Sequence, residues 1–221
     1  MNYHPDIELL LKYTSGKVAP ALSIIIGLHH HSCRECQKKI SELESIGGNT
    51  LESIEVESIE VESMGVDEQF DKLMQDIEYL SDSNESSAFD ECAIAQIDLD
   101  IVNTIYNKQF QTFDWKRLTS KIFKAEIDLQ DEGMTIELLR FAPNAKIPKH
   151  THQGEEFTLV LDGSFRDSMG EYREGEFVVQ DQTTEHQPIA GKDGCICLAV
   201  TNAPLKFTGV AGPLINWFIR Q

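Results

Sequence analysis

Two groups of histidine and cysteine residues in this chain have the spacing of metal ligands. The first is the stretch HHHSCREC at residues 29–36, in which Cys33 and Cys36 are separated by two residues. Two thiolates with this spacing, together with an imidazole one helical turn before them, can supply three ligands to one zinc ion. The sequence therefore predicts a zinc site in the N-terminal part of the chain.

Helical geometry selects His29 among the three consecutive histidines. At about 100° per residue, His29, Cys33 and Cys36 lie on one side of a helix, whereas the other two imidazoles turn to the far side. This choice assumes that the backbone is helical through the stretch. The fourth ligand is predicted to be His4, because it is the only other histidine in the first 149 residues.

The second group combines three histidines with a carboxylate. His150 and His152 lie on one face of a strand, since side chains alternate between faces, and Glu156 and His186 follow. Such a donor set suits zinc or another divalent transition metal, such as iron, manganese or nickel. Glu155 is the alternative carboxylate ligand, and hydrogen-bonded core histidines are the alternative to a metal site.

Short helices are predicted to position the first group. His4-Pro5-Asp6 has the features of a helix start. A second helix is predicted from residue 20 to about residue 31, and a third from near Cys33 to Ile46, ended by Gly47 and Gly48. Helices this short bury little area by themselves, so a zinc ion would contribute directly to the folding free energy.

The negative charge of the chain is concentrated in one segment. Residues 41–100 contain 18 of the 37 acidic side chains but only one of the 19 basic ones, Lys72. Such a segment disfavours nucleic acid and favours a basic partner surface, although a solvated acidic linker is the alternative. An ESIEV repeat lies within it, and we interpret residues 48–65 as an acidic tether.

A stripe of apolar residues at helical spacing follows the repeat. It is either the packing face of an ordinary amphipathic helix or a helix that binds a partner protein. Residues 86–111 are predicted to be an acidic linker, in which Cys92 has no assigned role. The stripe consists of Phe70, Leu73, Met74, Ile77 and Leu80.

From about Thr112 the pattern changes to short strands separated by turns, which predicts a β-sandwich or barrel. Cys195 and Cys197 share a strand face, a placement that fits disulfide geometry poorly, so they are interpreted as small core residues, with a reactive thiol near the metal as the alternative. The strands are predicted at residues 134–141, 156–161, 176–180, 195–200 and 214–219, and the turns at 143–144, 162–163, 174–175 and 191–194.

Length and apolar runs limit the organisation of the chain. A chain of 221 residues has room for one or two domains. No basic region precedes an apolar core, as it would in a signal peptide. The apolar run at residues 18–28 is shorter than the ~20 residues that cross a bilayer. We therefore expect a cytoplasmic protein, in which closely spaced cysteines indicate metal or redox chemistry rather than structural disulfides.

The second group resembles the metal-binding motifs of the cupin family. The spacing H-x-H-x-x-x-E, followed by Gly163, matches the first cupin motif, and the family's fold is a jelly-roll β-barrel that encloses a metal. Gly175 and His186 match the glycine and the histidine of the second motif. Other positions depart from the family pattern: Asp181, Thr183 and Ala190 replace the usual proline, glycine and asparagine, and Asn144 replaces a glycine.

With both groups, the chain resembles the ChrR-type anti-sigma factors over nearly its full length. The resemblance implies an α-helical zinc-binding anti-sigma domain over residues 1–85 and a cupin-like domain over residues 112–221. The matching segments are His4-Pro5-Asp6, the spacing of His29, Cys33 and Cys36, and residues 150–165, 184–188 and 194–200.

The resemblance implies a transcriptional regulator. Its N-terminal domain binds an extracytoplasmic-function sigma factor, without direct contact with nucleic acid or membrane, and its cupin domain is needed for the response to oxidative signals such as singlet oxygen. The acidic segment and the apolar stripe can supply surfaces for the sigma factor. The alternatives are a metal-dependent cupin oxygenase or isomerase, and a cupin sensor that binds a small ligand without converting it.

Overall fold

The computed structural model describes residues 1–53, 100–129 and 133–208. Three helices are followed by a β-rich domain. The apolar stripe between Phe70 and Leu80, Cys92, most of the acidic tether and the strand predicted at 214–219 lie outside the described residues. Among the helices that are described, none has the length and apolar character needed to cross a membrane.

The three N-terminal helices are α1 (Ile7–Thr14), α2 (Pro20–Ser32) and α3 (Arg34–Glu52). Asp6 caps α1, since its Oδ1 accepts a hydrogen bond from the backbone N–H of Leu9 at 2.7 Å. The first helix begins directly after the predicted helix start, and the second occupies its predicted segment. Residues 100–106, within the predicted linker, are also helical.

The third helix is longer than predicted. It continues through Gly47 and Gly48 and ends at Glu52, so the first residues of the predicted tether, 48–52, are helical. A glycine inside a helix costs about 1 kcal/mol relative to alanine, which disfavours a helix without stopping it. The expected stop was wrong because neither glycine adopts the left-handed conformation that ends helices.

The β-rich domain consists of a seven-stranded antiparallel sheet and a second sheet of two strands. This arrangement agrees with the predicted β-sandwich or barrel. The seven-stranded sheet has the order β1-β2-β3-β8-β5-β6, with β7 also paired to β5, and β4 pairs with β9. A backbone bridge joins His150 to His186. The strands are β1 (Lys116–Arg117), β2 (Ile122–Ile127), β3 (Thr135–Phe141), β4 (His150–His152), β5 (Glu156–Arg166), β6 (Glu171–Arg173), β7 (Phe177–Gln180), β8 (Ile189–Thr201) and β9 (Leu205–Phe207).

Two predicted turns are instead parts of long strands. Residues 162–163 lie inside β5 and residues 191–194 lie inside β8, and the register between these strands shifts on either side of Gly163. Gly163 and Gly194 both have positive φ angles, of 73° and 91°. The glycines that suggested turns therefore form a bulged region between two paired strands. The turn at Asn144, with φ 55°, is present as predicted.

Replacing Gly163 by alanine should destabilise the barrel by about 3 kcal/mol, because a side chain is strained at this φ and its Cβ would overlap the carbonyl oxygen of Gly194. Urea unfolding of the full chain measures the loss. Gly47→Ala is the matched control, since a Cβ there meets no neighbour within 4 Å. Equal stability of the Gly163→Ala protein and the unmodified chain would contradict the packing described here.

Both faces of the large sheet are buried. One face packs against the helices, where α2 contacts β5 and β8. The opposite face forms a second core cluster that includes Phe141 and Val160. Cys195 and Cys197 belong to this second cluster, with their Sγ atoms 3.3 Å apart. The sheet residues that share a core cluster with the helices include Ile136, Leu138, Phe157, Leu159, Leu198 and Val200.

Candidate metal centres

The four residues of the first predicted site converge. One side-chain atom from each of His4, His29, Cys33 and Cys36 lies within 4.8 Å of the others. Nδ1 of His4 is 3.3 Å from Sγ of Cys33 and 3.6 Å from Sγ of Cys36. Nε2 of His29 is 3.2 Å from Sγ of Cys36. This group, which we call the N-terminal cluster, could hold one metal ion.

The junction between α2 and α3 brings these side chains together. His29 lies in the last turn of α2, Cys33 has an extended backbone between the helices, and Cys36 lies in the first turn of α3. The assumption that the backbone is helical throughout residues 29–36 was therefore wrong. The histidine selected on that assumption, His29, is nevertheless the one that lies close to the two cysteines. His31 points elsewhere, with Nε2 3.0 Å from the hydroxyl of Tyr106.

The electrostatics of the N-terminal cluster fit a divalent cation. Burial lowers the pKa of His29 to about 4, which keeps its imidazole neutral. Burial, together with the neighbouring thiol of Cys33, raises the pKa of Cys36 to about 12. A bound cation would supply the positive charge that favours both thiolates. Two nitrogen and two sulfur donors form a set that suits tetrahedral zinc.

The outward-facing nitrogens of both imidazoles have partners. Nδ1 of His29 donates a hydrogen bond to the carbonyl oxygen of Gly175 at 2.8 Å. Nε2 of His4 lies 3.2 Å from the carbonyl oxygen of Met1 and 3.3 Å from Oε2 of Glu35. Such partners orient a metal-binding imidazole by leaving the lone pair of its other nitrogen directed at the cluster.

Three histidines of the second predicted site also converge, inside the barrel. Nε2 of His186 lies 3.0 Å from Nε2 of His150 and 3.2 Å from Nε2 of His152. All three residues are buried. Burial lowers the pKa of both His150 and His152 to about 4, so these imidazoles are neutral and able to bind a metal. We call these three residues the barrel cluster.

The opposite nitrogens of the barrel cluster face the protein. Nδ1 of His150 donates to the carbonyl oxygen of Pro148 at 2.8 Å, and Nδ1 of His186 donates to Oδ2 of Asp167 at 2.9 Å. Nδ1 of His152 lies 3.2 Å from Oε2 of Glu156. That last contact lacks hydrogen-bond alignment, which leaves this nitrogen unpaired within the described residues. The three Nε2 atoms are therefore the ones available to a metal.

Glu156 does not join the three imidazoles as the predicted fourth ligand. Its Oε2 lies beside the outer nitrogen of His152, and its Oε1 accepts a hydrogen bond from Thr158 at 2.9 Å. Burial raises the pKa of Glu156 to about 7. The difference arises because His152 ends β4 whereas Glu156 begins β5, in another sheet. Glu155, the alternative ligand, is exposed near Asn202.

Asp167 is a site residue that the sequence motifs did not indicate. It lies at the tip of the β5–β6 hairpin, and its side chain is fully buried against His186. Although burial favours the neutral acid, hydrogen bonds from His186 and from the backbone N–H groups of Met169 and Gly170 lower the pKa of Asp167. An aspartate three residues before a glycine indicates a turn, but no local signal shows that its carboxylate points into the barrel.

Replacing Asp167 by asparagine should weaken metal binding at the barrel cluster by roughly 10–100-fold, because the amide is a weaker acceptor for His186 than the carboxylate. Competition with a chelator, on the full chain, measures this affinity. Asp162→Asn is the matched control, since Asp162 is exposed and contacts Lys108. The same affinity in both variants would show that Asp167 has no role in orienting His186.

Comparisons with known proteins agree with both parts of the fold. Residues 107–205 match the family described as the ChrR cupin-like domain. The whole chain is 29% identical over 222 residues to the anti-sigma-E factor ChrR of Cereibacter sphaeroides, covering 100% of this chain and 99% of that protein.

A solved structure of an anti-sigma factor also matches this chain. The crystal structure of Rhodobacter sphaeroides SigE in complex with the anti-sigma ChrR matches with a TM-score of 0.69 and 26% identity, covering 90% of this chain and 98% of that chain. In this chain, helices with a histidine–cysteine cluster precede the cupin-like domain. The matches confirm the resemblance of this chain to the ChrR-type anti-sigma factors.

Proposed function

We propose that this protein is a zinc-dependent anti-sigma factor that binds an extracytoplasmic-function sigma factor and releases it in response to an oxidative signal. The observation that carries the proposal is the full-length match to ChrR, including the structure of ChrR bound to SigE. The protein then acts as a regulator of transcription in the cytoplasm, and not as an enzyme.

Zinc is the proposed metal of the N-terminal cluster. Two thiols and two imidazoles match the ligands of structural zinc sites, which contribute directly to folding. His4, which precedes α1, would then be tied to the junction of α2 and α3. The barrel cluster, with three imidazoles, suits zinc or another divalent metal such as iron, manganese or nickel.

The proposed sigma-binding surface lies on the N-terminal helices. Ile7 and Leu11 on α1, and Ile46 and Leu51 on α3, have exposed fractions between 52% and 71%. The two helices pack against each other, and exposed apolar side chains of this size are typical of protein interfaces. We propose that residues 1–85, with the stripe that includes Phe70, Leu73, Met74, Ile77 and Leu80, form the sigma-binding unit.

The two thiols of the N-terminal cluster supply a chemical basis for release. Zinc-bound Cys33 and Cys36 are thiolates, the form of cysteine that oxidants attack. An oxidant that takes two electrons from these thiolates would convert them to a disulfide. Both sulfur ligands would then be lost, and with them the zinc ion that would hold the helices together. The barrel cluster is the other proposed point at which the signal acts.

Co-purification tests the proposal. The full chain should be co-expressed with each extracytoplasmic-function sigma factor of the organism that carries it, with the affinity tag on the sigma factor. We expect one of them to retain the full chain as a stable complex, and to retain residues 1–85 as well. Failure of every one of these sigma factors to bind the zinc-loaded chain would contradict the proposed function.

A further inference from the structure

The first four residues of the chain lie on the barrel. We call residues 1–4 the strap. The backbone N–H of Phe177 donates to the carbonyl oxygen of Tyr3 at 3.1 Å. The backbone N–H of Asn2 donates to Oε1 of Glu176 at 2.7 Å. Glu176 is buried, and its other oxygen accepts from the backbone N–H of Arg173 at 2.8 Å. The barrel therefore fixes the segment that leads into the metal ligand His4.

The ring of Tyr3 packs on the loop that contains Asp167. Its centroid lies 4.6 Å from that of Tyr172, in an edge-to-face contact. Its hydroxyl lies so close to Gly170 that a Cβ at this position would overlap it. The hydroxyl of Tyr172 is 3.4 Å from Oδ1 of Asp167, and the N–H of Gly170 donates to the same oxygen at 3.1 Å. Tyr3 therefore rests on groups that bind the carboxylate of Asp167.

Asp167 connects this loop to the barrel cluster through its other oxygen, which accepts a hydrogen bond from His186 at 2.9 Å. The two clusters are therefore linked by a short series of contacts. His186 binds Asp167, the groups around Asp167 support Tyr3, and Tyr3 is the chain neighbour of His4. A change in the position of His186 can reach a ligand of the N-terminal cluster through packed groups alone.

A second connection involves the turn between β6 and β7. The carbonyl oxygen of Gly175 accepts the hydrogen bond from His29, and the ring of Phe177 lies 5.8 Å from the imidazole of His29. Met1 lies against Gly175, where a Cβ would overlap its methyl group. Both imidazoles of the N-terminal cluster are thus positioned by the barrel, one through the strap and one directly.

We propose that the strap couples the two clusters, so that metal bound to the barrel cluster raises the metal affinity of the N-terminal cluster. This inference rests on the proposed metal binding at both clusters. Metal in the barrel fixes His186 and the Asp167 loop, which gives Tyr3 a rigid contact surface and keeps His4 ordered. Without that metal, His4 must be ordered when its own metal binds, and the affinity falls. By linkage, the effect is reciprocal.

Cobalt(II) is a suitable probe because it distinguishes the two clusters. The N-terminal cluster offers two thiols, which as cobalt-bound thiolates would give a thiolate-to-cobalt charge-transfer absorption, whereas the barrel cluster offers imidazoles alone. The reduced full chain is loaded with cobalt at both clusters. Loss of the charge-transfer band on titration with a chelator then measures the affinity of the N-terminal cluster.

Four proteins form a double-mutant cycle: the unmodified chain, His150→Ala, Tyr3→Ala and the combination. His150→Ala should lower the cobalt affinity of the N-terminal cluster about fivefold or more. In the Tyr3→Ala background it should lower the affinity no further. Tyr106→Ala is the matched control, because Tyr106 also connects another part of the chain to α2, through His31, without touching the strap. In the Tyr106→Ala background, His150→Ala should still lower the cobalt affinity of the N-terminal cluster about fivefold or more.

The outcomes separate the coupling from the proposed function. A chain that never gives the thiolate band contradicts metal binding at the N-terminal cluster itself. A chain that gives the band with equal affinity before and after His150→Ala overturns the coupling alone. An undiminished effect of His150→Ala in the Tyr3→Ala background overturns the role of the strap. Where circular dichroism shows that His150→Ala is unfolded, Asp167→Asn replaces it in the cycle, with the same expected results.

Discussion

Replacing Cys36 by serine should remove one zinc ion per chain and unfold the three N-terminal helices. The apparent binding free energy of a structural zinc site is about 10–16 kcal/mol near pH 7, which exceeds the total stability of most domains. Cys36 has no exposed surface and contacts two other members of the N-terminal cluster. Metal analysis and circular dichroism of the full chain measure both effects, and Cys33→Ser should behave in the same way.

His30→Ala is the control for these cysteine variants, because His30 follows His29 in the sequence but is not part of the N-terminal cluster. It should retain zinc and the binding of the sigma factor. An unchanged zinc content in both cysteine variants would remove the assignment of the N-terminal cluster as a metal site.

Replacing His150 by alanine should remove the barrel metal while leaving the sigma factor bound. Three converging Nε2 atoms become two, and the remaining pair is a poor site for a divalent metal. At saturating zinc the N-terminal cluster stays filled, so the complex with the sigma factor survives. Its release by an oxidant should be impaired.

The measurement is metal content together with sigma retention before and after exposure to singlet oxygen. Lys149→Ala is the control, since Lys149 is next to His150 but pairs with Glu185 on the surface. Loss of sigma binding in His150→Ala at saturating zinc would show that the barrel cluster is required for the complex itself, contrary to expectation.

Local spacing predicted the parts of both clusters that lie within a few residues of one another. His29, Cys33 and Cys36 are close in sequence, so nearly any compact path brings them together, and even the break in the helix at Cys33 did not separate them. His150 and His152 share a strand face for the same reason.

Local spacing failed where the chain changes direction between the residues concerned. Glu156 follows His152 by only four residues, but the chain passes from one sheet to another between them. Asp167 reaches His186 through tertiary packing alone, across 19 residues of sequence. Contacts of this kind depend on how strands pair, which neither spacing nor composition shows.

The packing of the helices was also not foreseeable. The sequence suggested that three short helices need a zinc ion because they bury little area by themselves. In the structure, α2 packs on β5 and β8, and its buried side chains, including Ile25 and Ile26, belong to the same core cluster as Phe157 and Leu198. This packing explains the continuous apolar run at residues 195–200, because this part of β8 is buried on both faces of the sheet.

The most direct test is to remove the metal of the N-terminal cluster from the intact complex. The full chain, bound to its sigma factor and loaded with cobalt, is titrated with a chelator while the thiolate band and the bound sigma factor are followed together. The sigma factor should dissociate in step with the loss of the band. A complex that persists after the band has disappeared would contradict the central claim, that one metal ion held by His4, His29, Cys33 and Cys36 maintains the sigma-binding fold.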